Sequence, residues 1–318
     1  MGIISKDISK AAALLVAGEL VAIPTETVYG LAGNIFNEAA IRRIFEVKQR
    51  PLFNPLIVHL HDVKQINEVA AEFPETAKKL AQAFWPGPLT LILKKKELVP
   101  DLITAGKETV ALRMPNHPTT IKLLQNIDFP IAAPSANPFN RISPTRAKHV
   151  ANYFESKIPM VLDGGPCKKG IESTIVGFEN NTPIVYRLGS LSIEDLEKIV
   201  GPVRLKDKAT NNPTAPGMLA KHYSPRTKML LVDDLSSAIA AHTDKAIGVL
   251  SFQSNFSADH IKHLEVLSEN GSLEEATSNL YQALHTLDSA QIELILAERL
   301  PEKGLGKSMN DRLERASN

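Results

Sequence analysis

Cysteine is almost missing from this chain. Cys167 is the only one among 318 residues, which excludes an internal disulfide and any multi-thiolate zinc or iron–sulfur site. Long apolar runs are missing too. The stretch from Ala11 to Ala17 is apolar for a single short run between Asp7 and Glu19, and it lacks a small-residue cleavage pattern. Neither a membrane span nor a signal peptide is expected, and the chain reads as cytoplasmic. No internal repeat or low-complexity tract occurs. A basic surplus is absent as well: residues 1–200 carry 23 Lys and Arg against 20 Asp and Glu. A protein that coats nucleic acid would show such a surplus across a whole domain. The local imbalances lie elsewhere, with 5 cationic residues against 1 acidic residue over 201–226 and 8 against 14 over 227–318.

What is present is material for a core. At 43% hydrophobic residues, the chain can bury one large or two ordinary domains. Asn37 and Glu38, with Ile41, Ile44, Phe45 and Lys48 at helical spacing, predict a capped amphipathic helix whose end delivers Lys48 and Arg50 to a loop. Apolar runs of strand length follow at 89–93, 130–133, 160–162, 173–178 and 183–187. Helical patterns lie between them at 63–71, 75–84, 118–125 and 144–154, the last with Ser143 as N-cap and Pro144 at the first helical position. Glu179-Asn180-Asn181-Thr182 predicts a hairpin turn. Together these give a mixed α/β domain over 1–203. Residues 204–226, rich in Pro, Asn, Thr, Gly and Lys, read as a linker. Alternating strand and helix patterns over 227–318 predict a small parallel-sheet α/β domain.

Polar chemistry gathers at the ends of these runs. Thr25, Glu26, Thr27 and Tyr29 follow the apolar run Leu20 to Ile23, where a strand would end and leave them facing a ligand. Lys48 and Arg50 precede Pro51 and Pro55, which stiffen the loop and reduce the ordering cost of a clamp. Two or three charge-assisted hydrogen bonds, each worth about 1.5 to 3 kcal/mol, would hold a triphosphate. Ser135, Ala136 and Asn137 sit at the C-terminal end of a strand run, the edge where α/β domains bind ligands. Ser143-Pro144-Thr145 opens a helix pattern, and Glu172-Ser173-Thr174 introduces a strand.

Other features carry less. His59 and His61 share one strand face without a third ligand at metal-binding spacing, so His59 reads as a polar contact. No nucleophile elbow, Cys/His pair or Ser/His/Asp order is present. Gly304-Leu305-Gly306-Lys307-Ser308 ends like a phosphate loop, but Pro301 occupies the position of the required first glycine. It is a decoy.

In this order, the motifs 24–31, Lys48 to Pro51, Asn54 to His59, Ser135 to Asn137, Ser143 to Thr145 and Glu172 to Val176 resemble the YrdC-type threonylcarbamoyl-AMP synthases over most of residues 8–200. Ala215 to Met218, His222 to Pro225, Gly304 to Gly306 and Asn310 to Leu313 resemble that family's longer, two-domain form. The resemblance implies a twisted α/β sheet with a large, positively charged cavity, followed by a Rossmann-like domain. The implied activity joins L-threonine, bicarbonate and ATP into threonylcarbamoyl-AMP and pyrophosphate, a nucleotidyl transfer. Its product serves the t6A37 modification of tRNAs reading ANN codons, through a tRNA threonylcarbamoyl transferase complex.

By the same resemblance, Arg50, Asn54, Thr109, Ser135, Asn137, Ser143, Arg187 and Tyr223 would contact ATP. Lys48 and Arg50 would support the chemistry at the phosphates, and Thr27, His59, Arg113 and Ser173 would hold threonine. Mg2+ would arrive bridging phosphate oxygens. Asn140 stands near a position where the family has glycine, and is expected to take the same left-handed turn. Residues 206–226 are expected to close over the cavity, with His222, Tyr223 or Arg226 reaching the phosphates. Two other readings are an RNA-binding module and carbamoyl transfer in metal-centre maturation. The first lacks the charge surplus and the second lacks the accompanying zinc-binding cysteines. Direct contact with tRNA is not decided by these residues.

Overall fold

The computed structural model describes residues 3–206 and 222–318. Its N-terminal part is built on an eleven-stranded mixed sheet. In spatial order the strands are Ile4–Ser5, Met160–Leu162, Val21–Ile23, Gly30–Asn34, Ile131–Ala132, Ile57–His59, Thr109–Arg113, Leu89–Lys94, Thr174–Glu179, Thr182–Arg187 and Arg204–Leu205. The C-terminal domain is a separate four-stranded sheet, ordered Lys228–Val232, Leu294–Glu298, Ile247–Ser251, Ile261–Val266, with every pairing parallel. Mixed and parallel sheets fall on the two sides of the chain as the strand and helix patterning anticipates.

Local rules explain the pieces that frame the site. Helix Glu38–Lys48 starts where Asn37 accepts a hydrogen bond from the Ala40 amide at 3.0 Å, and it ends at Gln49 in the left-handed region, φ 53. Asn180 and Asn181 take φ 50 and 64 between the paired residues Glu179 and Thr182. Two successive positive φ angles match the right-handed strand twist, which is why this turn closes the hairpin. Asn140 adopts φ 64, the turn expected of it.

One helix begins later than its sequence predicts. It spans Ala147–Phe154 rather than starting at Pro144. The Ser143 hydroxyl, instead of capping it, donates to Glu172 at 2.7 Å, and the Pro144 carbonyl accepts from the Tyr29 amide at 2.8 Å. Tertiary partners have taken the groups that would have begun the helix. The helix Leu305–Ser317 has no counterpart among the sequence expectations, because in sequence its opening residues resemble only a false phosphate loop.

The two parts share a core. Val28, Ile142, Ile171 and Tyr223 pack in one apolar cluster with Met229, Tyr281, Leu284 and Leu313 of the C-terminal domain. Above it, His149 of the first domain stacks on His285 of the second with ring centroids 3.8 Å apart. Burial, reinforced by its partner ring, lowers His149 to about 3, and burial lowers His285 to about 4. Unfolded histidines titrate near 6.5, so the unfolded chain binds protons that the folded chain refuses. Stability is therefore expected to be full above pH 6.5 and to fall as pH drops toward 4, by about 1 kcal/mol per pH unit for each histidine. Urea midpoints measured from pH 7.5 to 5 check this, and His285→Gln should flatten the decline.

Candidate active site

Strand register assembles the floor. His59 pairs with Arg113 across parallel strands, and Arg113 pairs with Thr90 on its other side. Paired residues on adjacent strands project to the same face, so one row presents an imidazole, a guanidinium and a hydroxyl at the sheet edge. Ser173 extends the row, its hydroxyl 2.8 Å from that of Thr90. A register shift between Val185 and Arg187 turns Arg187 toward Ser173. Its Nε and Nη2 donate to the Ser173 carbonyl at 3.1 and 2.9 Å, and Nη2 also donates to the hydroxyl at 3.0 Å.

The opposite wall comes from loops locked to one another. Gly30 packs so close to Ala133 that a Cβ there would lie 3.3 Å from the Ala133 carbonyl oxygen. The Tyr29 carbonyl accepts from the Ala136 amide at 2.7 Å. Lys48 lies behind this wall. It is buried, and its ammonium donates to the Ser135 and Asn137 carbonyls, both at 2.5 Å. Burial pushes its basicity well down, with Arg50 adding repulsion. Arg50 reaches the pocket with Nε on the Asn54 carbonyl at 3.3 Å and Nη2 on the Pro55 carbonyl at 2.8 Å.

The result is a pocket lined by Arg50, Arg113 and Arg187 together with His59, His222 and Tyr223. Desolvation lowers Arg50 and Arg187 below the ordinary arginine value, and Arg187 adds to the shift of Arg50. His59 is lowered to about 3 by burial and by Arg113, so its ring is neutral at physiological pH. His222 is lowered well below its usual value by burial and then by Arg50, Lys48 and Arg187. Crowding of like charge in a desolvated pocket is a standing electrostatic cost, and a bound anion removes it.

Of the residues named from sequence, Arg50, His59, Arg113, Ser135, Ser173, Arg187 and Tyr223 meet at this pocket. Thr27 is one step removed, its hydroxyl accepting from Arg113 Nη2 at 2.8 Å. Asn54 and Asn137 are buried beside the wall. Both polar ends of the Asn54 side chain and the Asn137 Oδ1 lack partners among the described residues. Ser143 faces Glu172 rather than the cavity. Thr109 lies farther away, at the start of the strand that ends in Arg113. Four residues of extended chain separate the two by about 13 Å.

Within the predicted closing segment, His222 and Tyr223 line the pocket, whereas Arg226 is exposed and engages Asp288 through its backbone amide. Positions 207–221, including the Ala215 to Met218 motif, lie outside the described residues.

Of two carboxylates at the site, Glu26 is expected from sequence only to face a ligand, and Glu172 has no role of its own there. Glu26 pairs with Arg113 at 2.8 Å, and Glu172 also lines the pocket. Both sit inside motifs read for their hydroxyl neighbours, Thr25-Glu26-Thr27 and Glu172-Ser173-Thr174. An isolated acid beside such groups is the signal that could have revealed them. The false phosphate loop proves structural: Gly306 is pressed onto the Pro301 carbonyl, and the Ser308 hydroxyl donates to the Gly189 carbonyl at 2.9 Å. Among the described residues no cluster of three or more His, Cys, Asp or Glu could hold a metal ion, and no helix is long and apolar enough to cross a membrane.

Residues 13–189 match the Sua5_yciO_yrdC family, described as telomere recombination. The chain belongs to this family. Residues 191–318 match a second family, Sua5_C, described as threonylcarbamoyl-AMP synthase, C-terminal domain. The threonylcarbamoyl-AMP synthase of Pyrococcus abyssi is 41% identical over 96% of this chain and 93% of the relative. That of Bacillus subtilis is 39% identical over 98% and 92%. The crystal structure of P. abyssi Sua5 complexed with L-threonine superposes with a TM-score of 0.90 at 40% identity, covering 98% of this chain and 94% of that one. Sua5/YrdC membership therefore extends through both sheets.

Proposed function

We propose that this chain is an L-threonylcarbamoyladenylate synthase, a cytoplasmic nucleotidyltransferase. It converts L-threonine, bicarbonate and ATP to threonylcarbamoyl-AMP, pyrophosphate and water. The observation that carries the reading is the convergence of Arg50, Arg113 and Arg187 on one buried pocket beside two uncharged imidazoles. Two strongly similar relatives bear the same name.

In this reading Arg113 receives the threonine carboxylate. Its Nη2 is held by Glu26 and Thr27, while its buried Nε has no hydrogen-bond partner among the described residues. Neutral His59 contacts the amino acid without adding repulsion to Arg113. The threonine amine takes up bicarbonate carbon with loss of water, and a carbamate oxygen then attacks the α-phosphorus as the bond to the β-phosphate oxygen breaks. Pyrophosphate leaves with the electron pair. Arg50 and Arg187 neutralise the growing negative charge, so positioning and electrostatics suffice without a covalent enzyme intermediate. Lys48 acts from behind, fixing the Ser135 to Asn137 loop. The donor set is cationic, so Mg2+ would be carried on the triphosphate's own oxygens. The product would pass to a tRNA threonylcarbamoyl transferase complex for t6A37 formation in tRNAs reading ANN codons. Burial of the arginines inside a pocket, rather than on an exposed face, disfavours an RNA-binding role.

Pyrophosphate release is expected only when ATP, threonine and bicarbonate are all supplied. Release that ignores threonine would reject the reading.

A further inference from the structure

The carboxylate of Glu172 is out of place. Among the described residues it is the single acid on the pocket wall, beside three arginines that suit a polyanion, and its own charge would oppose one. What surrounds it comes from the other domain. Tyr281, on the helix Leu273–Ser289, donates its hydroxyl to both Glu172 oxygens at 3.1 and 2.9 Å. Arg312, on the helix Leu305–Ser317, donates Nε to Glu172 at 3.3 Å. Both side chains are fully buried. Ser143 supplies the remaining contact from the catalytic side.

The helix that carries Arg312 holds three further parts of the pocket. The Arg312 guanidinium lies over the Tyr223 ring, 5.4 Å from its centroid. The Arg315 carbonyl accepts the His222 amide at 3.1 Å. Ser308 anchors Gly189, which packs against the Ser173 backbone so closely that a Cβ there would lie 2.4 Å from the Thr174 nitrogen. Tyr223 itself sits at φ 64, a region that a bulky side chain occupies only when its surroundings impose it. The C-terminal domain thus braces the pocket wall from behind without lining the pocket itself.

A buried arginine without a countercharge is costly, and Asp311, 3.1 Å from Arg312, is shared with Arg315 at 3.0 Å. Glu172 is therefore the second countercharge of Arg312, and the same pairing offsets the charge that Glu172 would otherwise present to the pocket. Unscreened, a carboxylate in this low-dielectric pocket would repel a triphosphate far more strongly than the neutral, carboxylate-bearing amino acid, since the interaction scales with ligand charge.

We propose that Arg312 and Tyr281 are positioning residues of the site, neutralising and orienting Glu172 so that the pocket accepts a nucleoside triphosphate. The role of the C-terminal domain follows: it sets nucleotide affinity from behind the wall. This inference rests on the synthase reading for its choice of ligand.

Its test uses the full-length chain, with ATP affinity measured by calorimetry and the Michaelis constants for ATP and threonine measured by pyrophosphate release. Tyr281→Phe, which removes only a hydroxyl, should raise the ATP constants about fivefold, and Arg312→Met about thirtyfold or more, with the threonine constant moving less than about twofold. Adding Glu172→Gln to Arg312→Met should restore most of the ATP affinity, because the uncompensated charge is then gone. Lys307→Gln, which breaks the surface ion pair to Glu194 at 2.9 Å, loosens the same domain interface and should change neither constant. If ATP and threonine constants rise in parallel, if Tyr281→Phe leaves ATP binding untouched, or if Glu172→Gln gives no rescue, the assignment is overturned. Tyr281→Phe decides the matter even if Arg312→Met fails to fold. Wild-type protein that binds ATP yet releases no pyrophosphate would sink the synthase reading, while calorimetry on the variants would still judge this one.

Discussion

Arg50→Ala is expected to lower threonine-dependent pyrophosphate release by on the order of 100-fold or more, as removal of a donor to a developing transition-state charge commonly does. The loss should appear in kcat. Arg50 is held by the Asn54 and Pro55 carbonyls, so its fork is preorganised before substrate arrives and costs little ordering during the reaction. Stability should change little in comparison. The variant loses two hydrogen bonds but also removes a desolvated cation that is repelled by Arg187, two effects of opposite sign. Arg50→Lys separates charge from geometry. Lysine keeps the cation but lacks the planar fork that spreads donors between the loop carbonyls and a phosphate, so it should recover only part of the lost rate. Near-wild-type turnover in Arg50→Ala would remove this side chain from the chemistry.

Arg113→Met should abolish measurable threonine-dependent turnover and also destabilise the fold by about 3 to 5 kcal/mol, because it strands a buried partner. The ion pair between Arg113 and Glu26 is 2.8 Å long, with both side chains largely hidden from water, at 5% and 8% exposure. Glu26 also accepts the Asn116 amide at 3.0 Å, so it cannot swing out to solvent without breaking a second contact. Adding Glu26→Gln should return most of the stability, since a neutral amide tolerates the site, while threonine-dependent turnover stays lost. Thermal unfolding and pyrophosphate release, measured on the same preparations, distinguish the two consequences. Equal recovery of both would mean that Arg113 serves folding alone.

Much of this was legible in the residues. Helix Glu38–Lys48, the hairpin at Asn180 and Asn181, the left-handed Asn140 and the parallel C-terminal sheet all follow from local chemistry: a cap, two amides tolerant of positive φ, and alternating patterns long enough to carry a period. Where expectation and structure part, a distant group has intervened. Ser143 reads as an N-cap because only its neighbours are visible along the chain, yet Glu172 takes its hydroxyl and the helix begins later. Lys48 reads as a ligand cation because of its closeness to Arg50, yet two loop carbonyls capture it. Gly306 resembles part of a phosphate loop and is instead a contact point too tight for a side chain.

The amino-acid order by itself determined the two sheets, the cationic loop, and the set of hydroxyls and cations placed at strand ends, since each depends on spacing over a few residues. Only the tertiary structure decided which of those groups share a pocket, that Glu26 and Glu172 belong with them, and that Tyr281 and Arg312 support the wall from another domain. Those facts depend on strand register and on burial between segments far apart along the chain, where electrostatic interactions strengthen as water is excluded.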